Sequence, residues 1–138
     1  MPEHREAIEY IVSKAPNACY SAITNGYNLD LFLDILKRVK TDFFQITLDG
    51  VQEIHDKFRK LKDGGETYEK ILNNIDLLLQ NNIAVKIRMN ITEQNISSCI
   101  SLREQLSNKY KNKLILSILL YTYHSYIQLP VLLCSHCH

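Results

Sequence analysis

The side chains with the most evident chemical potential in this 138-residue chain are the thiols of Cys134 and Cys137, with His136 and His138 beside them. The spacing Cys-x-x-Cys-His is the attachment pattern of c-type haem. Two thiols and two imidazoles are also donors that zinc accepts. The motif occurs once, without an export signal or a following stretch to supply a second axial ligand. We therefore favour a chance pairing in a frayed or frame-shifted tail, and the sequence predicts no metal ligand.

The other candidates for thiol or acid–base chemistry have structural interpretations. Cys19 and Cys99 have mostly small or apolar neighbours, and we expect both in the core. His55 and Asp56 are adjacent, and neighbouring residues of a helix point in different directions, so we do not interpret them as an acid–base pair. We expect a capping or packing role for these two residues. The sequence thus predicts no catalytic residue.

Composition and charge argue against several classes of protein. Sixteen basic and fifteen acidic residues give a formal charge of +1 without a run of like charges, which argues against a nucleic-acid partner. The charged start, Met1 to Glu6, leaves no room for the apolar core of a secretory signal, so we expect a cytoplasmic protein. The uncharged stretch from Leu114 to His138 is long enough for a membrane helix, but Gln128, Pro130 and several hydroxyls interrupt it. We expect no membrane association.

Hydrophobic periodicity predicts the elements that would position a site. We predict a helix at 3–14 and a second helix capped by Asn28 or Asp30, with Phe32, Leu33, Leu36 and Val39 facing inward. Two more helices are predicted, one from the cap Thr67 as far as Asn81 and one at 95–109, whose apolar residues are Ile96, Ile100 and Leu106. We predict strands at 19–24, 43–48, 83–91 and 114–121. This order is typical of parallel βαβ units, so the predicted fold class is α/β, a partial TIM-like (β/α) barrel with about four parallel strands alternating with helices. The predicted domains are a partial core domain at 1–121 and a divergent C-terminal tail at 122–138.

Four segments carry a resemblance to a known family. The family is that of the radical S-adenosylmethionine (radical SAM) enzymes. Ser21–Gly26 resembles its "TNG" strand, and Gln45–Arg59 resembles its "ISLDG…HDxxR" block. Gly65–Ile75 resembles its "GTFxKIxxNI" helix, and Val85–Asn90 resembles its fifth strand. The second segment closely matches the subgroup that has a C-terminal SPASM extension. The resemblance covers about residues 3 to 120. It is similar in extent for anaerobic sulfatase-maturating enzymes and for maturases that modify ribosomally made peptides, and it implies that 1–121 is part of a radical SAM core domain.

The resemblance implies a place for the cofactor S-adenosylmethionine (SAM) across the C-terminal mouth of the barrel. Thr47 takes the position of the family's usual serine, and its hydroxyl would bond the ribose or the methionine part of SAM. Arg59 falls on the arginine after the His-Asp pair, whose planar fork suits the methionine carboxylate. Leu120 matches an apolar residue that packs against the adenine. Three alternatives stay open: Thr47 as a strand residue, Arg59 as a surface residue and Leu120 as ordinary core.

Two motifs of that family are missing from the sequence. The family's CxxxCxxC loop holds the 4Fe-4S cluster that donates an electron to SAM, and its GGEP motif binds the amino group of SAM; neither occurs here. SAM and a 4Fe-4S cluster are therefore the implied cofactors, with the cluster ligands absent from this chain. We expect a fragment of a peptide- or protein-modifying maturase that is inactive alone, from a truncated gene product or a wrongly placed start codon. The alternative is half of a split enzyme that assembles with a separate N-terminal piece.

Overall fold

The computed structural model describes residues 4–111, together with the backbone of residues 114–122 and 125–130. The described helices are α1 (Arg5–Lys14), a 3-10 turn (Leu29–Phe32) that leads into α2 (Leu33–Leu36), α3 (Gln52–Phe58), α4 (Tyr68–Gln80) and α5 (Ile96–Tyr110). The described strands are β1 (Cys19–Thr24), β2 (Lys40–Thr47), β3 (Val85–Ile91), β4 (Leu114–Thr122) and β5 (Ser125–Pro130). None of the helices in these ranges has both the length and the apolar character needed to cross a bilayer.

The strands form one sheet in the order β1-β2-β3-β4-β5. Neighbours from β1 to β4 run parallel, whereas β5 pairs antiparallel with β4. The predicted fold class, an α/β partial TIM-like barrel of parallel strands alternating with helices, is confirmed. The sequence analysis did not predict β5, because Gln128 and Pro130 interrupt its apolar pattern; an outer antiparallel strand tolerates both. Since β1 to β4 are parallel, their carboxyl ends lie along one margin of the sheet. This margin is called the carboxyl edge and is distinct from the outer strands of the sheet.

One face of the sheet packs against the helices, and the other carries polar side chains. Along β3 every second residue is buried: Val85, Ile87, Met89 and Ile91. The intervening residues are half-buried on the opposite face, where Lys86 Nζ lies 3.4 Å from the centre of the Phe43 ring. Successive residues of a strand point to opposite faces, so this alternation separates a core face from a polar face.

Helices α4 and α5 supply most of the helical side of the core. The buried apolar residues of α4 are Tyr68, Ile71, Ile75 and Leu78, and those of α5 are Cys99, Leu102, Leu106 and Tyr110. The Tyr110 hydroxyl donates a 2.7 Å hydrogen bond to Asp76 Oδ1 of α4. Burial, together with this bond, raises the pKa of Tyr110 well above its usual range. The phenol therefore stays protonated and holds α5 against α4.

Three expectations about buried residues are wrong. Ile96 and Ile100 are 46% and 54% exposed, because the row of α5 that faces the sheet runs through Cys99 and Leu102 instead. Cys19 is exposed, since it begins the outermost strand, β1, whereas Cys99 is buried as expected. The second predicted helix begins as a 3-10 turn, whose three residues per turn shift its inward face, so that Leu29, Phe32 and Ile35 are buried, and only Phe32 belongs to the predicted inward set.

Candidate functional site

Thr47 is the last residue of β2, at the edge of the sheet where the parallel strands end. Its register partner on β3 is Arg88, and the main-chain N–H of Leu48 donates to the Arg88 carbonyl at 3.0 Å. Leu48 and Ile46 are fully buried on the helical side, so Thr47 between them lies on the polar face. The Thr47 side chain is 8% exposed. The structure thus places a hydroxyl at the carboxyl end of β2.

Asp49, two residues further on, is the centre of a hydrogen-bond network. Its Oδ1 accepts from the main-chain N–H of Asn90 at 3.1 Å, and its Oδ2 accepts from Nε of Arg59 at 2.5 Å. The Asp49 carbonyl accepts from Nδ2 of Asn95 at 3.0 Å, and the Asp49 N–H donates to Nδ1 of His55 at 3.2 Å. Both carboxylate oxygens and both main-chain groups of Asp49 are therefore engaged, which fixes its position between β3, α3 and α5.

Gly50 forms the turn that follows, in a conformation that favours glycine. Its φ is +141°, and a Cβ added there would lie 2.4 Å from Oγ of Ser98. The same Ser98 oxygen accepts a 2.9 Å hydrogen bond from the N–H of Val51. Because the serine is held in place by this bond, a larger residue at position 50 would displace α5 from the loop.

His55 is buried beneath this loop and is held in one tautomer. Its Nδ1 accepts the Asp49 N–H, so the proton of the neutral ring sits on Nε2, which donates to Thr67 Oγ1 at 3.2 Å. The Thr67 hydroxyl in turn donates to the Arg59 carbonyl at 2.8 Å. Burial, aided by the charge of Arg59 and opposed by Asp56 and Asp49, lowers the pKa of His55. The neutral ring therefore joins the loop to the start of α4.

Asp56 caps α4 from the neighbouring helix. Its Oδ1 accepts from the N–H of Thr67 at 2.8 Å and from the N–H of Tyr68 at 2.9 Å. The capping role expected for this residue is confirmed. Thr67 occupies the N-cap position that the sequence predicted, but its side chain makes no cap hydrogen bond, because its hydroxyl is used between His55 and Arg59.

Arg59 lies between this network and a cavity of about 290 Å³. Its side chain is 37% exposed, whereas that of its partner Asp49 is 11% exposed. The cavity is lined by residues from the ends of β1, α3 and the start of α4, namely Asn25, Tyr27, His55, Phe58, Arg59, Lys60, Leu61, Thr67 and Ile71. Two cationic residues, Arg59 and Lys60, are among them, and they favour an anionic group there. The described part of the site can therefore accommodate a carboxylate.

The predicted site residues have different outcomes. Thr47 lies at the carboxyl end of β2, and Arg59 reaches the same edge of the sheet through its bond to Asp49. Leu120 lies in β4 opposite Ile91, and its side chain is outside the described residues. The cysteines of the tail, Cys134 and Cys137, are also outside the described residues.

Sequence reasoning missed Asp49, Asn90 and Asn95. Asp49 was interpreted as the end of a strand, Asn90 as an alternating strand residue and Asn95 as the start of a helix. The sequence did contain a signal, since polar residues follow both β2 and β3. Parallel strands bring such residues together at one edge of the sheet, where they can form a site.

The thiols of the described residues do not fit an iron-sulfur cluster. Cys19 is exposed at the amino end of β1, the edge opposite Asp49, and Cys99 is buried in α5. Burial raises the pKa of the Cys99 thiol to about 11, which disfavours the thiolate that a cluster binds. Among the described residues, no group of three or more His, Cys, Asp or Glu is arranged to hold a metal ion.

Comparisons with known proteins agree with the fold. The model of the family described as "Radical SAM superfamily" matches residues 1–105. A solved structure of hexahistidine-tagged anSMEcpe "with bound AdoMet" superposes with a TM-score of 0.69 at 20% sequence identity, over 83% of this chain and 32% of that chain. This chain thus spans about a third of the length of that structure, and at this identity the likeness shows a shared fold. No curated protein matches the chain.

Proposed function

Because this chain belongs to the radical SAM superfamily, we propose that it is a fragment of a peptide- or protein-modifying maturase of the SPASM-containing kind, carrying part of the SAM-binding barrel. The observation that carries the proposal is the position of two polar side chains near the carboxyl edge of the sheet: Thr47 ends β2, and Arg59 is bonded to Asp49, two residues further along the chain. The similar structure anSMEcpe was solved with AdoMet bound, which supports SAM as the ligand.

Arg59 would hold the methionine carboxylate of SAM. Its Nε is bonded to Asp49, and both Nη atoms lack a protein hydrogen-bond partner within the described residues. A guanidinium presents two parallel N–H groups to a carboxylate, so these atoms can form a forked pair. The Thr47 hydroxyl would bond the ribose or the methionine part of the same ligand, since a hydroxyl both donates and accepts.

We propose that the chain binds SAM without cleaving it. In this superfamily SAM is split when a 4Fe-4S cluster donates an electron to its sulfonium. The sequence has cysteines at positions 19, 99, 134 and 137, none in a CxxxCxxC pattern, and the two described thiols do not fit a cluster. Thr47 and Arg59 therefore support binding and orientation of SAM, whereas the cysteines do not supply the CxxxCxxC ligands of the cluster.

The SAM contact is tested by measuring affinity for SAM with ligand-observed NMR. Arg59→Lys and Thr47→Val should each weaken binding about tenfold, because each removes hydrogen bonds to a charged or polar ligand. Arg38→Lys is the matched control, since Arg38 is an exposed arginine that pairs with Glu9 and not with Asp49. Unchanged affinity in both site variants would overturn the proposal.

Inactivity is tested separately by anaerobic reconstitution with iron and sulfide. We expect no stoichiometric cluster and no 5′-deoxyadenosine on incubation of the reduced protein with SAM. A cluster bound one-to-one, with SAM cleavage, is the contrary outcome. Cys134→Ser belongs in the same experiment, because unchanged metal content in that variant excludes a haem or metal site in the tail.

The outer edge of β1 favours a second candidate, half of a split enzyme that takes a separate N-terminal piece. Within the described residues, β1 pairs with β2 on one side and with no strand on the other. Ile23 of β1 is 71% exposed, and a groove of about 540 Å³ lined mostly by apolar residues of α1, β1 and α2 lies beside it. An adjacent reading frame that encodes CxxxCxxC and GGEP would support this candidate. A stable, monodisperse isolated chain would contradict it.

A further inference from the structure

The residue type at position 49 is set by two donors that meet it. One carboxylate oxygen of Asp49 receives the N–H of Asn90, and the other receives Nε–H of Arg59. An asparagine at this position would present an NH₂ group to one of these donors, whichever way its amide is turned. A carboxylate satisfies both because each of its oxygens accepts.

The arrangement also fixes how the guanidinium of Arg59 is presented. An arginine that is 37% exposed has many rotamers, and a hydrogen bond at Nε restricts the torsions that orient the planar group. Asp49 cannot follow a moving arginine, because its own main-chain groups are bonded to His55 and Asn95. The edge of the guanidinium that carries the Nη atoms is therefore directed before any ligand arrives.

We infer that Asp49 is a positioning residue, which aims Arg59 at the carboxylate of the ligand and so makes the chain prefer SAM over an analogue without that carboxylate. The inference rests on the proposed function, in which Arg59 receives this carboxylate. Preorganisation of this kind raises affinity by removing the entropy cost of ordering the arginine during binding. The gain in affinity is confined to ligands whose carboxylate contacts Arg59. It should therefore appear as a preference for SAM over the analogue without the carboxylate.

The first test needs no ligand and uses the Nε–Hε NMR signals of the arginines. The Arg59 signal is assigned by its loss in Arg59→Lys. In Asp49→Asn the Hε proton should exchange with water about tenfold faster or more, because the neutral amide has one acceptor oxygen for two donors and lacks the charge that holds the guanidinium. Asp34→Asn is the matched control: it breaks the exposed Arg5–Asp34 pair and should leave the Arg59 signal unchanged. An Arg59 proton that exchanges equally fast in the wild-type and Asp49→Asn chains overturns the pairing.

The second test compares the affinities for SAM and decarboxylated SAM. We expect the wild-type chain to prefer SAM about tenfold or more, and Asp49→Asn to retain less than about threefold, with its affinity for decarboxylated SAM nearly unchanged. Equal losses for both ligands would indicate a general structural role and overturn the inference. Arg59→Lys, at a half-exposed position, gives a second variant that should lose the same preference if Asp49→Asn does not fold.

The two tests separate this inference from the proposed function. A wild-type chain that binds both ligands equally, or binds neither, overturns the carboxylate contact and the selectivity that depends on it, whatever the exchange measurement shows. A wild-type preference for SAM that persists in Asp49→Asn leaves the proposed function standing and overturns the positioning role alone.

Discussion

At the scale of the residue, buried hydrogen bonds fix the protonation state of His55. Its Nδ1 must accept the Asp49 N–H, and its Nε2 must donate to Thr67. A second ring proton would place two donors against each other inside the core, where an unsatisfied polar group costs about 1–3 kcal/mol. Burial and these contacts act in the same direction, so the folded protein favours the neutral ring.

The lowered pKa of His55 predicts that stability decreases in mild acid. Because the folded pKa lies below the ordinary 6.5, the unfolded chain binds more protons between these two values. The contribution of His55 is therefore complete above pH 6.5 and is lost as the pH falls toward the folded pKa, by up to about 1.4 kcal/mol per pH unit. Urea unfolding at several pH values measures it. His55→Asn should be less stable at every pH, and the part of the pH dependence of stability that His55 contributes should be absent. The same pH dependence in both proteins would contradict the prediction.

Gly50 and Gly64 allow the steric effect at the Asp49 loop to be separated from backbone strain. Both have a positive φ, but a Cβ at Gly64 would have no neighbour within 4 Å, whereas one at Gly50 would clash with Ser98. Gly64→Ala should cost about 1 kcal/mol in the free energy of unfolding, and Gly50→Ala at least about 2 kcal/mol. Equal costs would show that the clash is relieved by a small movement of α5.

At the scale of the element, the start of α4 depends on a residue from α3. The first N–H groups of a helix lack intrahelical partners, and Asp56 supplies an acceptor for two of them, from eleven and twelve residues earlier in the chain. The other oxygen, Oδ2, is buried and has no hydrogen-bond partner among the described residues, so both cap bonds depend on Oδ1. This contact joins α3, which ends one residue before Arg59, to the start of α4.

Removal of the α4 cap should destabilise the protein measurably. Asp56→Ala leaves the N–H groups of Thr67 and Tyr68 unpaired, and we expect a loss of about 1–2 kcal/mol in the free energy of unfolding by urea. Glu69→Ala, an exposed acidic residue in the same first turn, is the control and should change stability by less than about 0.5 kcal/mol. If the two variants lose the same stability, the helix dipole rather than the cap explains the effect.

At the scale of the whole molecule, the two outer strands of the described sheet differ in their direction relative to the neighbouring strand. On one side β5 covers β4 as an antiparallel strand, whereas on the other side β1 presents main-chain groups that have no strand partner among the described residues. Free edges of this kind promote pairing with another chain. The exposed Ile23 adds apolar surface at that edge.

The open edge predicts concentration-dependent self-association of the isolated chain. Ile23→Lys should weaken association about tenfold in sedimentation measurements, because a charge on an edge strand disfavours strand pairing. Ile100→Lys is the control, since Ile100 is a similarly exposed isoleucine on helix α5. A wild-type chain that stays monomeric at all concentrations would contradict the prediction and the split-enzyme candidate together.

Sequence patterns were sufficient for the type of fold and for the order of β1 to β4, but they did not predict α3 or β5. Apolar periodicity depends on residues a few positions apart, and β1 has the bounds that this periodicity predicts, Cys19–Thr24. The same local signal was ambiguous for α5, because two rows of apolar residues run along that helix, one through Ile96 and Ile100 and one through Cys99 and Leu102. Packing against the sheet selected the second row.

For the site, the sequence determined the presence of Thr47 and Arg59 within motifs of the family, and their contact with SAM stays a prediction. Tertiary structure alone showed that Asp49 joins Arg59 to Asn90, a partner 41 positions away. The physical reason is that hydrogen bonds between strand ends require the parallel strands to be aligned first. No spacing in the sequence encodes that alignment. Each donor and acceptor is a common polar group, and only the folded sheet brings the two within hydrogen-bond distance.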